Sequence, residues 1–193
     1  MANIVVVTGT PGAGKTTIVN SVKGLKEYTS VGVGDLMERL GTERGYVKNR
    51  DEIRTLGNFK ITGLRNETFS YISSFDGKVI VDTHATVVNT KRRYIPGFPF
   101  EALMLMKTIL GFVYVDASSE EIIARRNKDK SRARNEEDKA IIDDQRTINL
   151  SMLAYYSSYL NVPLYIIENT EGHMEEAIAH FKDDLSELFG EKK

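Results

Sequence analysis

Four short apolar runs punctuate the chain: NIVVVT at 3–8, KVIVDT at 78–83, FVYVDA at 112–117 and PLYIIE at 163–168. A weaker fifth, TSVGVG, lies at 29–34. Successive positions in these runs are apolar and often β-branched, the pattern of strands covered on both faces in a parallel sheet. Between them, helical patterning runs over 15–27, 35–41, 50–74, 99–110, 118–127, 136–160 and 171–189. Ser118 followed by Glu121 predicts a capping box, and Thr170 a cap for the last helix. Strand and helix in repeated alternation predict an α/β fold, a doubly wound three-layer sandwich around a five-stranded parallel sheet. No internal repeat, low-complexity tract or interdomain linker interrupts it.

The longest apolar window, PFEALMLMKTILGFVYV at 99–115, contains Glu101, Lys107 and Gly111. A membrane span needs about 20 apolar residues, so the window reads as a helix opened by Pro99 and ended by Gly111, then a strand. The four-residue IVVV run is too short for a signal-peptide core, which predicts a cytoplasmic protein with no membrane partner. The chain has no cysteine, which excludes disulfides and thiolate chemistry. Its 193 residues suffice for one well-buried domain. A formal net charge of −1 gives no reason to expect a nucleic-acid partner.

Directly after the first strand comes GTPGAGKTT, residues 9–17. Gly9, Gly14, Lys15 and Thr16 satisfy G-x-x-x-x-G-K-[ST], with a strand before and a helix after, as a phosphate-cradling P-loop requires. Glycines let backbone N–H groups converge on phosphate oxygens, and the helix that follows adds its positive end. Thr8, Gly9, Thr10, Pro11, Gly12, Ala13, Gly14, Lys15, Thr16 and Thr17 are therefore candidates to bind ATP. Lys15 supplies a point charge at the transferred phosphate and Thr16 a hydroxyl for Mg²⁺. Asp82, closing the run VIVD, is the candidate second Mg²⁺ ligand, with Asp116 after FVYV as its rival.

A phosphate cradle serves timers, motors and transferases alike. Asn127-Lys128-Asp129-Lys130 misses the guanine-reading N-K-x-D pattern by one position and follows a helix, which removes a GTPase reading. The basic residues are unevenly placed: Arg125, Arg126, Lys128, Lys130, Arg132 and Arg134 lie within ten positions, Arg39, Arg50 and Arg54 in the 35–76 segment, and Lys91, Arg92 and Arg93 together. Arginine forks match phosphate oxygens, and phosphoryl transfer needs positioning and positive charge more than a covalent nucleophile. Two basic insertions beside one cradle predict a phosphotransferase, one insertion gripping an acceptor's phosphate and the other closing over the donor. The alternative in another class is an ATPase module coupled to a partner.

VVVTGTPGAGKTT, VGVGDLM, VIVDTHATV followed by YIPGFP, RRNKDKSRAR and NTEG together resemble the adenylate kinases, specifically the archaeal type, over nearly the whole chain. The resemblance implies a P-loop NTPase fold whose core spans 1–34, 77–127 and 137–193, with an acceptor-binding insertion at about 35–76 and a short lid at about 128–136. It implies a nucleoside monophosphate kinase with reversible transfer between ATP and AMP and with Mg²⁺, the alternative in the same class being a kinase for CMP, UMP or several monophosphates, and association as a homo-oligomer, commonly a trimer. Carried over residue by residue, Arg126, Arg132, Arg134 and Arg146 would be catalytic beside Lys15, and Arg125 would meet the donor. Asp35, Arg50 and Arg54 would lie beside the acceptor. Asp82-Thr83-His84-Ala85 departs from the D-G-F-P-R of bacterial-type kinases, so the arginine that grips AMP moves, to Arg54, Arg92 or Arg93. His84 is either a ligand to the acceptor or a structural histidine at a strand end.

Overall fold

The computed structural model describes residues 1–89, 91–106, 108–128 and 139–191, with the side chain of Arg54 set aside. Five parallel strands form the central sheet: β1 (Ala2–Gly9), β2 (Tyr28–Gly32), β3 (Gly77–Asp82), β6 (Ile109–Asp116) and β7 (Leu164–Glu168), in the order β2-β3-β1-β6-β7. Between β3 and β6 the chain makes a two-stranded antiparallel hairpin, β4 (Thr86–Val88) and β5 (Tyr94–Pro96). The helices are α1 (Lys15–Asn20), α2 (Val33–Glu43), α3 (Asn58–Ser73), α4 (Phe100–Leu105), α5 (Ser119–Lys128), α6 (Lys139–Leu160) and α7 (Met174–Leu188).

Alternation along the strands divides the core in two. Ile4, Val6, Val81, Phe112 and Tyr114 face one layer with α2, α3, α4 and α6. Val5, Val7, Val113, Val115 and Ile167 face the other, with α1, α5 and α7. The predicted three-layer α/β sandwich is therefore the observed one. From β1 the chain crosses to the edge strand β2 and returns to β3 between them, then extends the sheet on the other side through β6 and β7. The carboxyl end of β1 thus lies at the topological switch point, where open α/β sheets bind ligands. Gly32, Asp82 and Val7 share one row there, and Gly9 sits beside Val115.

Several boundaries differ from the sequence expectation. The helix expected over 15–27 ends at Asn20 and continues as single turns, with Gly24 at φ +99°. The segment 50–74 breaks at Leu56, whose ψ of 140° is extended, into a 3₁₀ helix (Arg50–Thr55) and α3. Asn49 caps the first piece by accepting from the Glu52 amide at 3.2 Å. The helix expected over 99–110 stops at Leu105, and Gly111 lies inside β6 rather than ending a helix. A Cβ at Gly111 would stand 2.5 Å from Leu188 Cδ2, so the glycine admits α7 to the sheet. The Ser118–Glu121 capping box forms, with Glu121 N donating to Ser118 Oγ at 3.3 Å and Ser118 N to Glu121 Oε2 at 3.0 Å. Thr170 does not cap α7, which begins four residues later behind His173.

The chain's end is clasped to the sheet's far edge. Glu191 receives the Lys78 ammonium, the Tyr28 hydroxyl at 2.9 Å and the Ser186 hydroxyl at 3.2 Å. These donors, Lys78 foremost, hold the Glu191 carboxyl below the usual glutamate range. A depressed folded-state pKa contributes stability that is present above the unfolded value, about 4.3, and is lost as pH falls through the folded one. Glu191→Gln should thus lower Tm by about 2–4 °C at pH 7, with the difference from wild type shrinking below pH 4. Thermal unfolding across that range checks it, and a Tm gap constant down to pH 3 would remove the clasp's electrostatic role.

Candidate active site

The P-loop leaves β1 at Gly9, where a Cβ would lie 2.6 Å from the Val115 carbonyl oxygen, and turns through Thr10–Gly14 into α1. Gly12 and Gly14 hold φ of +96° and +94°, a region closed to most side chains. The outer rim of the loop is pinned through its carbonyls. Thr10 O accepts from Ala13 N at 2.9 Å, and Gly14 O from Thr17 N at 3.0 Å and Ile18 N at 3.2 Å. Pro11 O accepts from Arg126 Nε at 2.9 Å and from its Nη2. Ala13 O accepts from Asn169 Nδ2 at 2.7 Å and Arg125 Nη1 at 3.2 Å. The N–H groups of Gly12, Gly14 and Thr16, by contrast, find no protein acceptor among the described residues. A strand-to-helix turn whose carbonyls are occupied and whose amides are open has the geometry to receive an anion.

Lys15 is buried at 8 % side-chain exposure and forms an ion pair with Asp82, which is 19 % exposed. A buried ammonium demands such a partner, and the pair places a carboxylate against the cradle at the end of β3. Thr16 is exposed at the mouth. A carboxylate and a hydroxyl are hard oxygen donors, suited to Mg²⁺ rather than to softer ions. Asp116, the rival ligand, is engaged elsewhere. It is 6 % exposed, accepts from Arg146 Nε at 2.7 and 2.9 Å and from Nη2, and also from the Ala117 amide at 3.0 Å. The Asp116 contact raises the already high Arg146 pKa further. Arg146 Nη1 has no partner among the described residues.

Thr8 lies fully buried beneath the loop, its hydroxyl unpartnered among the described residues. Thr17 is exposed, one position beyond Thr16 on α1. The Thr10 hydroxyl shares a 2.9 Å hydrogen bond with Tyr114 on β6, whose phenol pKa is raised by burial. His84 Nδ1 stands 3.3 Å from the Gly9 carbonyl, which can only accept, so the proton sits on Nδ1. Between the 3₁₀ helix and the start of α2, Arg50 Nη1 bonds Asp35 Oδ1 at 2.7 Å. Gly34 makes room for that guanidinium: a Cβ there would be 2.2 Å from Arg50 Nη2. Arg54 shares the 3₁₀ helix with Arg50, and nothing is described of its side chain. Arg132 and Arg134 lie outside the described residues.

A family model described as an AAA domain matches residues 8–143. The adenylate kinase of Methanothermobacter thermautotrophicus is 33% identical over 184 residues, covering 94% of this chain and 98% of that protein. That of Methanopyrus kandleri is 33% identical over 193 residues, covering 97% of this chain and all of its own. The chain belongs to the adenylate kinase family. Shikimate kinase from Acinetobacter baumannii shares its fold, with a TM-score of 0.58 at 15% identity, covering 100% of this chain and 96% of that one.

Within this adenylate kinase family member, three polar features escape a reading of motifs. Asn169, 1 % exposed, follows β7 and reaches back to Ala13. Arg125 and Arg126, expected to meet nucleotide, bond the loop's carbonyls. Gln145 and Asn149 on α6 hold Thr86 of the hairpin: Thr86 Oγ1 donates to Asn149 Oδ1 at 2.6 Å, and Gln145 Nε2 donates to Thr86 O at 2.9 Å. The available signal was that Tyr114, Asn149 and Asn169 are polar residues inside or beside apolar elements, where burial demands a partner.

Proposed function

We propose that this protein transfers the terminal phosphoryl group of ATP to AMP, reversibly, giving two ADP. The observation that carries the reading is the open row of Gly12, Gly14 and Thr16 amides beside Lys15 and Asp82, in a chain matched end to end by adenylate kinases. The cradle and Lys15 hold the donor phosphates. Thr16 and Asp82 would hold Mg²⁺, which when bound neutralises charge on the donor's phosphate oxygens. Lys15, released from Asp82, meets the charge that develops on the transferred group, and Arg146 offers its unpartnered Nη1 to the same charge. Arg126, Arg132 and Arg134 join them from α5 and the lid. Asp35, Arg50, Arg54 and His84 line the acceptor side. The fork that now binds Asp35 is suited to a phosphate.

Supplied with MgATP and AMP, CMP, UMP or GMP in turn, the protein should form diphosphate with AMP at a kcat/KM at least tenfold above the others. A coupled assay of ADP reads this directly. Preference for CMP or UMP would move the substrate within the same class, and hydrolysis without any acceptor product would end the kinase reading. The same reading includes a homo-oligomer. Phe100, Met104, Tyr155 and Tyr159 are exposed together on α4 and α6, with ring centroids of Phe100 and Tyr159 5.1 Å apart. Size-exclusion with light scattering on the assayed sample tests this, and a monomer at micromolar concentration would remove the oligomer while leaving the activity.

A further inference from the structure

The peptide bonds of the described chain are all trans, and in a trans peptide the C=O and the following N–H point in opposite directions. Fixing a carbonyl therefore fixes the amide behind it. Ala13 O is held by Asn169 Nδ2 at 2.7 Å and Arg125 Nη1 at 3.2 Å, which turns the Gly14 N–H the other way. Pro11 O is held by Arg126, which turns the Gly12 N–H likewise. Those are two of the open amides of the cradle.

Asn169 is itself held in place. Its backbone N–H donates to Asp116 O at 2.9 Å, and its carbonyl accepts from Arg125 Nη2 at 2.7 Å. It is 1 % exposed, and its Oδ1 is buried with no hydrogen-bond partner among the described residues. A buried amide that forgoes one hydrogen bond while its nitrogen bonds Ala13 is oriented for that contact. Gly14 is matched to it: a Cβ there would fall 2.1 Å from Asn169 Nδ2, so the loop backbone approaches the amide as closely as only glycine permits.

We infer that Asn169 is a positioning residue for the donor site, acting through the Ala13–Gly14 peptide plane to aim the Gly14 amide at a phosphate oxygen. Its part is played through that peptide plane. It links the end of β7 to the P-loop, so the cradle's shape is set from the last strand of the sheet as well as from the strand that carries the loop. The inference rests on the donor assignment above.

The test compares Asn169→Ala with the isosteric Asn169→Asp at pH 8. Alanine removes the donor and leaves Arg125 alone on Ala13 O. Aspartate keeps the shape but sets an oxygen against the carbonyl, pushing the peptide out of line. The Kd for ATP and the inhibition constant of inorganic tripolyphosphate should rise about tenfold in the alanine variant and further in the aspartate variant. The KM for AMP and the Kd for adenosine should stay within twofold. A merely space-filling Asn169 reverses the order, aspartate near wild type and alanine worse. Unchanged tripolyphosphate inhibition in both folded variants, or equal losses for ATP, AMP and adenosine, overturns the inference. If either variant fails to fold by circular dichroism, Asn169→Ser, which is too short to reach Ala13, carries the alanine expectation. Wild-type protein that makes no ADP from ATP and AMP would sink the functional reading. An active wild type with insensitive variants would sink only the role of Asn169.

Discussion

Lys15→Ala should lower kcat for ADP formation by about 10²–10³-fold while altering the KM for AMP little. In the proposed reaction the lysine's positive charge meets the group in transit, so its loss falls on the transition state more than on acceptor binding. The same substitution should also cost stability. Lys15 and Asp82 are 8 % and 19 % exposed, and removing one partner leaves a carboxylate with little water and no counter-charge. The penalty for a broken buried pair is about 3–5 kcal/mol, less here because Asp82 keeps some solvent. The double variant Lys15→Ala/Asp82→Asn separates the effects: it should recover most of the lost Tm and none of the lost turnover. Differential scanning calorimetry beside the coupled ADP assay reads both. Turnover of Lys15→Ala within tenfold of wild type would refute the cradle assignment, and an unrecovered Tm would refute the pair's place in the resting protein.

The cradle and its lysine were readable from the chain because their chemistry is local. Gly12 and Gly14 carry positive φ angles of +96° and +94°, a local demand that the spacing of the motif already displays. Four of the five strands were readable for the same kind of reason, since continuous apolar runs have few other uses in a short α/β chain, and β2, YTSVG at the sheet's edge, showed more weakly. What was unreadable depended on contacts distant in sequence. Asn169 meets Ala13 across 156 positions and Tyr114 meets Thr10 across 104, and neither spacing carries a periodicity. The hairpin at 86–96 has three residues per strand, too few for alternation to show. Leu56 breaks a pattern that is otherwise helical on both sides, and Gly111 is a helix terminator by composition that became a strand position through packing against Leu188. Arg125 and Arg126 show the limit of residue type as a guide. Arginine on the helix after FVYVDA suggests phosphate, and the type alone does not show that both guanidiniums also bond the carbonyl rim of the loop, at Ala13 and Pro11.

Arg146→Ala carries the second large effect, on activity and stability together. Arg146 spans a boundary: its Nε and Nη2 bind Asp116, 6 % exposed, while the side chain as a whole is 46 % exposed and its Nη1 is open. A guanidinium held along one edge by a buried carboxylate has lost most of its freedom before substrate arrives, which is how preorganised charge differs from charge on a mobile lysine. Removing it should lower kcat by about 10²-fold or more, and the stranded Asp116 should cost about 2–3 kcal/mol, a fall of roughly 5–10 °C in Tm for a chain of this size. Asp116→Asn isolates positioning from charge. The arginine remains but its edge is no longer gripped by a carboxylate, so turnover should fall about tenfold with a smaller loss of Tm. Arg146→Lys keeps a cation without the fork and should behave more like alanine than like wild type in turnover. If Arg146→Lys and Asp116→Asn both turn over at the wild-type rate while Tm falls, the pair only ties α6 to the end of β6. In that case the charge on the transferred group must be met from Lys15, α5 and the lid alone.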